Sequence, residues 1–152
     1  MNRMEVKIQV VKDLLAKVEA KSDDTSAQIA SIEESKKSTT KSSAGDKHET
    51  ARAMMERELA MAQAQRNKAQ FQRNELESIS GDVKFDVIGH GAFVETSSGS
   101  YLIGVALGKI EVEGVSIMAI SAVSPIGMIL MGKRVGDVVE FRESKIEVLS
   151  ID

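Results

Sequence analysis

The chain has 152 residues, a net charge of −3 and no cysteine, which leaves room for one medium domain or two small ones. The absence of thiols excludes disulfides, thiolate catalysis and zinc–thiolate sites, and the two scattered histidines, His48 and His90, make no metal cluster. So small a net charge gives no ground for wholesale binding to nucleic acid or a membrane.

The two halves differ in kind. Residues 1–80 carry 14 Lys+Arg against 13 Asp+Glu, whereas residues 81–152 carry 6 against 10, with most of the glycines and the only proline. That shift predicts a boundary near Ser80-Gly81, with domains over 1–80 and 81–152. The opening MNRMEVKIQVVKDLL is broken by charge every few residues and holds no apolar core of signal-peptide length. No window approaches the roughly 18 uninterrupted apolar residues of a membrane span. A soluble, cytoplasmic protein is expected.

In the first half, Met4, Ile8, Val11, Leu15, Val18, Ser22, Thr25, Ile29 and Ile32 recur at alternating steps of four and three. One narrow apolar line flanked by Lys, Glu, Asp and Gln is a coiled-coil seam; Val10 and Leu14 widen it near its start. The pattern fades into EESKKSTTKSSAG, a segment with turn chemistry. A second helical pattern runs from about Asp46 to Ile79. Met55, Leu59, Ala62, Ala69, Leu76 and Ile79 lie near one face, with Met54 and Phe71 beside it. Two seams joined by a short polar turn predict an antiparallel hairpin with its tip near 40–49. An arm of about 35 residues at 1.5 Å each is roughly 50 Å long. Pairing of such helices between two chains is the other arrangement these residues allow.

From Val83 the period changes to two. VKFDVI, AFVET and SYLIGVAL read as strands, with a hairpin turn at Ser97-Ser98-Gly99. KIEVEGVSIMAIS reads as a short strand, a turn at Gly114 and a longer strand. Ser124-Pro125 starts a helix with Ile126, Ile129 and Leu130 as its buried face, and Gly132 ends it. Gly136-Asp137 turns the chain into VVEFR and KIEVLSI. Five or six antiparallel strands with one helix across a face make this half α+β. Met118, Met128 and Met131 read as core and interface filler, and His90 as a loop histidine.

Gly45-Asp46-Lys47-His48-Glu49 falls at the expected tip. Carboxylates three residues apart at a helix start form a variant of the capping box. They also share a face, and the helix dipole there favours their ionised forms. Around them Lys36, Lys37, Lys41, Lys47 and Arg52 outnumber the acids of residues 36–53 by three, a balance that suits either solvated charge or an approach to phosphates.

The run ISAVSPIGMILMGKRVGDVVEF, together with GDKHE after a long helix, resembles the bacterial Gre transcript-cleavage factors. Their pattern I-S-x-x-S-P-I-(A/G)-x-x-L-(I/L)-G-K followed by G-D-V-V is met at Ile120, Ser121, Ser124 to Gly127, Leu130, Gly132, Lys133 and Gly136 to Val139. Their tip pattern G-D-x-x-E is met at Gly45, Asp46 and Glu49. The resemblance spans nearly the whole length and implies an antiparallel coiled coil followed by a small FKBP-like antiparallel-sheet domain with one helix.

It further implies a cytoplasmic, monomeric RNA polymerase accessory factor rather than an enzyme in its own right. The globular domain would dock on the rim of the secondary channel through Ser124, Pro125, Ile126 and Met128. The hairpin would reach the active centre, bringing Lys41, Lys47 and Arg52 near the nascent RNA 3′ end. There Asp46 and Glu49 would help hold the second Mg2+, stimulating hydrolysis of the backtracked transcript by the polymerase. Hydrolysis by two metals fits that division, since Mg2+ takes carboxylate oxygens and keeps waters, so one or two carboxylates added in trans suffice.

This chain departs from the family at Thr50-Ala51-Arg52-Ala53, where an aromatic residue often follows the tip glutamate, and at Met128, where a basic residue is common. The nearby alternative is therefore a secondary-channel regulator or inhibitor without cleavage activity. A more remote one is an FKBP-like prolyl isomerase or chaperone, whose site would need aromatics. Phe85, Phe93, Tyr101 and Phe141 instead read as core.

Overall fold

Two long runs without proline, rich in Ala, Leu, Glu, Lys, Gln and Arg, form the helices α1 (Arg3–Thr40) and α2 (Gly45–Glu77). The computed structural model describes residues 1–40, 45–79 and 83–152, and only the backbone of residues 39, 40, 45, 46 and 48. The remaining elements are β1 (Phe93–Thr96), β2 (Gly99–Ile103), β3 (Gly108–Val112), β4 (Val115–Ile120), α3 (Pro125–Leu130), β5 (Val138–Phe141) and β6 (Ser144–Ile151). The architecture is α+β, a helical pair followed by a six-stranded sheet with one short helix. It divides into two compact units, Lys17–Arg73 and Met1–Ala16 with Asn74–Asp152.

The Lys17–Arg73 unit is a two-helix hairpin held by the predicted seam. Val18, Thr25, Ile29 and Ile32 of α1 are buried, as are Ala62 and Ala69 of α2. Ile29, Ile32 and Ala62 cluster, with Met55 and Leu59 packed against them. Alanine at the centre lets the helices approach closely but removes little apolar surface from water. The ion pairs Glu19–Arg73 and Lys36–Glu56, each 3.5 Å, join the helices. Met54 and Phe71 do not flank the seam as the sequence reading places them; they are 57% and 65% exposed. The helical period explains this: Phe71 lies two residues beyond buried Ala69, about 200° round the helix.

In the other unit the strand order is β3-β4-β2-β1-β6-β5. Every pairing is antiparallel except β2 with β4, which run parallel with Tyr101 opposite Met118. The sheet is thus mixed rather than wholly antiparallel. After β2 the chain turns at Gly104, whose φ of 145° suits glycine. It runs past β4's position to the edge strand β3 and returns by the tight turn at Glu113-Gly114 to lie beside β2.

Strand alternation gives the sheet two buried faces. Ile88, Val94, Ile103, Val139, Ile146 and Val148 form one core, with Leu130 of α3 among them and Ile126 and Ile129 packed against it. Phe93, Leu102, Ile117 and Ala119, at the intervening positions, are buried too. The first turns of α1 belong to this unit, and Val6, Lys7, Val10, Val11 and Leu14 are buried there. Ile8, expected in the seam, is instead 48% exposed, because this part of α1 buries a broader face centred on Val10 and Leu14.

Segment 83–88, expected as a strand, has no ladder partner. Ile88 instead exchanges two 2.8 Å hydrogen bonds with the loop after α3: its N–H donates to Lys133 O and its carbonyl accepts from Gly132 N. Phe85 packs against the core. Apolar alternation there serves a packed connector, because Ile88 takes its backbone partners from the loop after α3 rather than from a strand.

Candidate functional site

The expected tip belongs to the hairpin unit. The sequence of α2 changes from turn-formers to helix-formers at Gly45-Asp46, and the helix starts at Gly45, which puts Asp46 and Glu49 in its first turn. Glu49 and Lys47 are exposed. The side chain of Asp46 and the whole of Lys41 lie outside the described residues. Thr50, where the family often has an aromatic, is exposed.

Arg52, the third RNA-proximal candidate, has its guanidinium 3.4 Å from Glu56, one turn further along α2. Lys36 of α1 reaches the same carboxylate at 3.5 Å. One anion therefore sits between two of the cations that the sequence reading counts as a positive patch. Glu56 is not singled out by that reading, although an Arg–Glu spacing of four on a helix is a legible pairing signal. Arg52 and Glu56 are about half exposed and Lys36 is partly exposed, so the cluster is worth little stability, and its consequence is electrostatic. Among the described residues no three His, Asp or Glu side chains converge as a metal site.

The second candidate surface surrounds α3. Ser124 is its N-cap: Oγ accepts from Gly127 N at 3.1 Å and donates to Ser121 O at 2.7 Å. Ser121 Oγ in turn accepts from Val123 N at 3.1 Å. A Cβ at Gly127 would stand 2.2 Å from Ser121 O, so this turn closes on glycine. Pro125 occupies the first helical position, where its missing N–H costs nothing.

The motif's serines are thus committed to building the turn, and what it shows to solvent is apolar. Met128 is 62% and Val123 78% exposed, and Pro125 is exposed, while Ile126 is half-buried against the core. Of the four docking residues expected, Pro125 and Met128 are the ones that present side chains outward. Val123 escapes sequence reasoning, since nothing in its sequence context separates it from a core valine. Met118, read as core and interface filler, is also 40% exposed.

Near the end of α2, His90 Nε2 lies 3.2 Å from Ser78 Oγ and 3.7 Å from Glu75 Oε2. Both oxygens address the same ring nitrogen, whereas a Ser–His–acid relay uses opposite nitrogens. The trio ties a loop to a helix end.

No family model matches the chain, and no curated protein does. Among solved structures, the transcription factor Gfh1 matches over 94% of this chain and 91% of its own, with 20% identity and a TM-score of 0.35. The chain is distantly similar to a transcription factor. Superposition that loose carries no weight for activity, which must be read from the residues themselves. No helix among the described residues is long and apolar enough to cross a membrane.

Proposed function

We propose that the protein is an RNA polymerase accessory factor that stimulates hydrolytic cleavage of backtracked transcripts. The observation that carries this is the start of α2 at Gly45, which makes Asp46 and Glu49 first-turn residues at the turn end of a two-helix hairpin. Capping uses only part of a carboxylate's acceptor capacity. The rest is available to a metal, and the helix N-terminus favours the ionised form. In the polymerase a second Mg2+ would supply charge stabilisation and an activated water. Asp46 and Glu49 would hold it there, and Lys47 would approach the RNA phosphates. Pro125 and Met128 around the capped α3 would meet the polymerase surface, with the magnesium shared rather than bound by the free protein.

The test is cleavage of backtracked complexes formed with polymerase from the same source. Asp46→Ala and Glu49→Ala are each expected to lower the stimulated rate at least about tenfold, which is roughly 1.4 kcal/mol of transition-state stabilisation. Equal rates for wild type and Asp46→Ala would reject the reading. The non-cleaving regulator draws support from exposed Thr50 at the position where the family often has an aromatic. It would show as inhibited elongation, unchanged by either carboxylate substitution.

A further inference from the structure

Facing away from the seam, each helix of the Lys17–Arg73 hairpin carries a second line of residues at alternating steps of three and four. That spacing keeps one helix face in register with a neighbouring helix. On α2 the line is Met54, Arg57, Met61, Ala64, Lys68 and Phe71; on α1 it is Ala20, Asp23, Ala27, Ala30 and Glu34. All are exposed, with Met54, Met61 and Phe71 at 57%, 60% and 65%. The α2 line is bulky and basic, the α1 line small and acidic. Among the described residues, none of Arg57, Lys68, Asp23 and Glu34 forms an ion pair within the chain.

We propose that hairpins of separate copies pack side by side, with α2 of one copy antiparallel to α1 of the next. The ion pairs Glu19–Arg73 and Lys36–Glu56 show which residues of the two helices stand at the same height. Carried to a neighbour whose tip points the same way, that register sets Arg57 beside Glu34 and Lys68 beside Asp23. Met61 and Phe71 then meet Ala30 and Ala20, and Ala64 meets Ala27. Each cation finds a carboxylate and Met61 and Phe71 find alanines, while Met54 comes beside Lys37. Pairing α2 with α2 would oppose cation to cation. Pointing the tips oppositely would also match the charges, as Arg57 with Asp23 and Lys68 with Glu34, but would set the bulkier Phe71, rather than Met54, against Lys37 and would part Ala64 from Ala27. Because the two lines lie on different faces of one hairpin, the contact is head-to-tail. It does not close at two copies. This inference does not rest on the polymerase reading, and it departs from the monomer that the family resemblance implies.

Sedimentation of the full chain over a range of concentrations tests it. The average mass is expected to rise past that of a dimer at low salt and to fall back as salt screens the charges. Arg57→Glu/Lys68→Glu and Asp23→Lys/Glu34→Lys are each expected to weaken association at least tenfold with helicity unchanged by circular dichroism. Mixing the two charge-reversed proteins should restore it. As the chain has no cysteine, mixing Ala27→Cys with Ala64→Cys reports the register through an intermolecular disulfide. A monomer mass at every concentration, wild-type association by the charge-reversed proteins, or no mixed disulfide would each overturn the proposal.

Discussion

Ser124 shows how a motif residue can be informative without touching a partner. Its hydroxyl is spent on Gly127 N and Ser121 O, so Ser124→Ala should cost about 1 kcal/mol, as for other N-cap serines. Chemical denaturation would measure it. Lys7 carries a larger structural role that the sequence did not announce. It reads as a solvated flank charge, yet it is fully buried. Its ammonium donates to the main-chain oxygen of Asp152 at 3.0 Å and lies 4.8 Å from the Phe85 ring centroid. Next to it, Arg3 pairs with the Asp152 side chain at 2.9 Å. Lys7→Ala is expected to destabilise by roughly 2–4 kcal/mol, because buried volume and charge-assisted bonds go together. Lys7→Met, which keeps most of the volume, should lose less. Equal loss from both would mean that the charge, not the stem, matters.

Within the hairpin the seam is uneven, and its weak points can be named. Thr25 is buried at a seam position with its hydroxyl returned to Lys21 O at 2.8 Å. Thr25→Val exchanges that bond for apolar packing of nearly the same shape. It should raise helix melting stability by up to about 1 kcal/mol, since removing the donor frees a carbonyl that already serves the helix. Phe71, at 65% exposure, contributes little to the isolated chain, and Phe71→Gln should leave its stability within about 0.5 kcal/mol of wild type in a thermal melt. A larger loss in dilute solution would show that this ring is buried in a way the hairpin alone does not produce. Segment 83–88 teaches the complementary lesson. Alternation of apolar residues suits a strand, but a strand also needs a ladder partner, and here Ile88 finds its hydrogen bonds in the loop after α3.

Across the molecule, stability is distributed unequally between the two units. The hairpin core is a line of Val, Ile and Ala with one Thr and one Gln, whereas the sheet is buried on both faces. Amide exchange followed by mass spectrometry should therefore be faster across Lys17–Arg73 than in β1, β2, β4 and β6, as regions with few buried apolar contacts open first. Uniform protection would contradict that ranking.

Much of this is legible in the chain itself. The seam residues Val18, Ile29 and Ile32, the Ser124 cap and the strands from Phe93 onward all follow from local rules: a 3.5-residue repeat, an N-cap chemistry and a period of two. Tip residues Asp46 and Glu49 are legible for the same reason, since a helix start is written in a few neighbouring side chains. Local rules do not say which elements become neighbours. The parallel pairing of β2 with β4, the burial of Lys7, the exposure of Ile8 and Val123, and the convergence of Arg52 and Lys36 on Glu56 depend on contacts between residues distant in the chain. By itself the sequence determined the helices, most of the strands and the position of the carboxylate pair, because periodicity and capping act within a few residues. Only the tertiary structure decided which side chains face water and which charges are already paired, because burial is a property of the assembled surface.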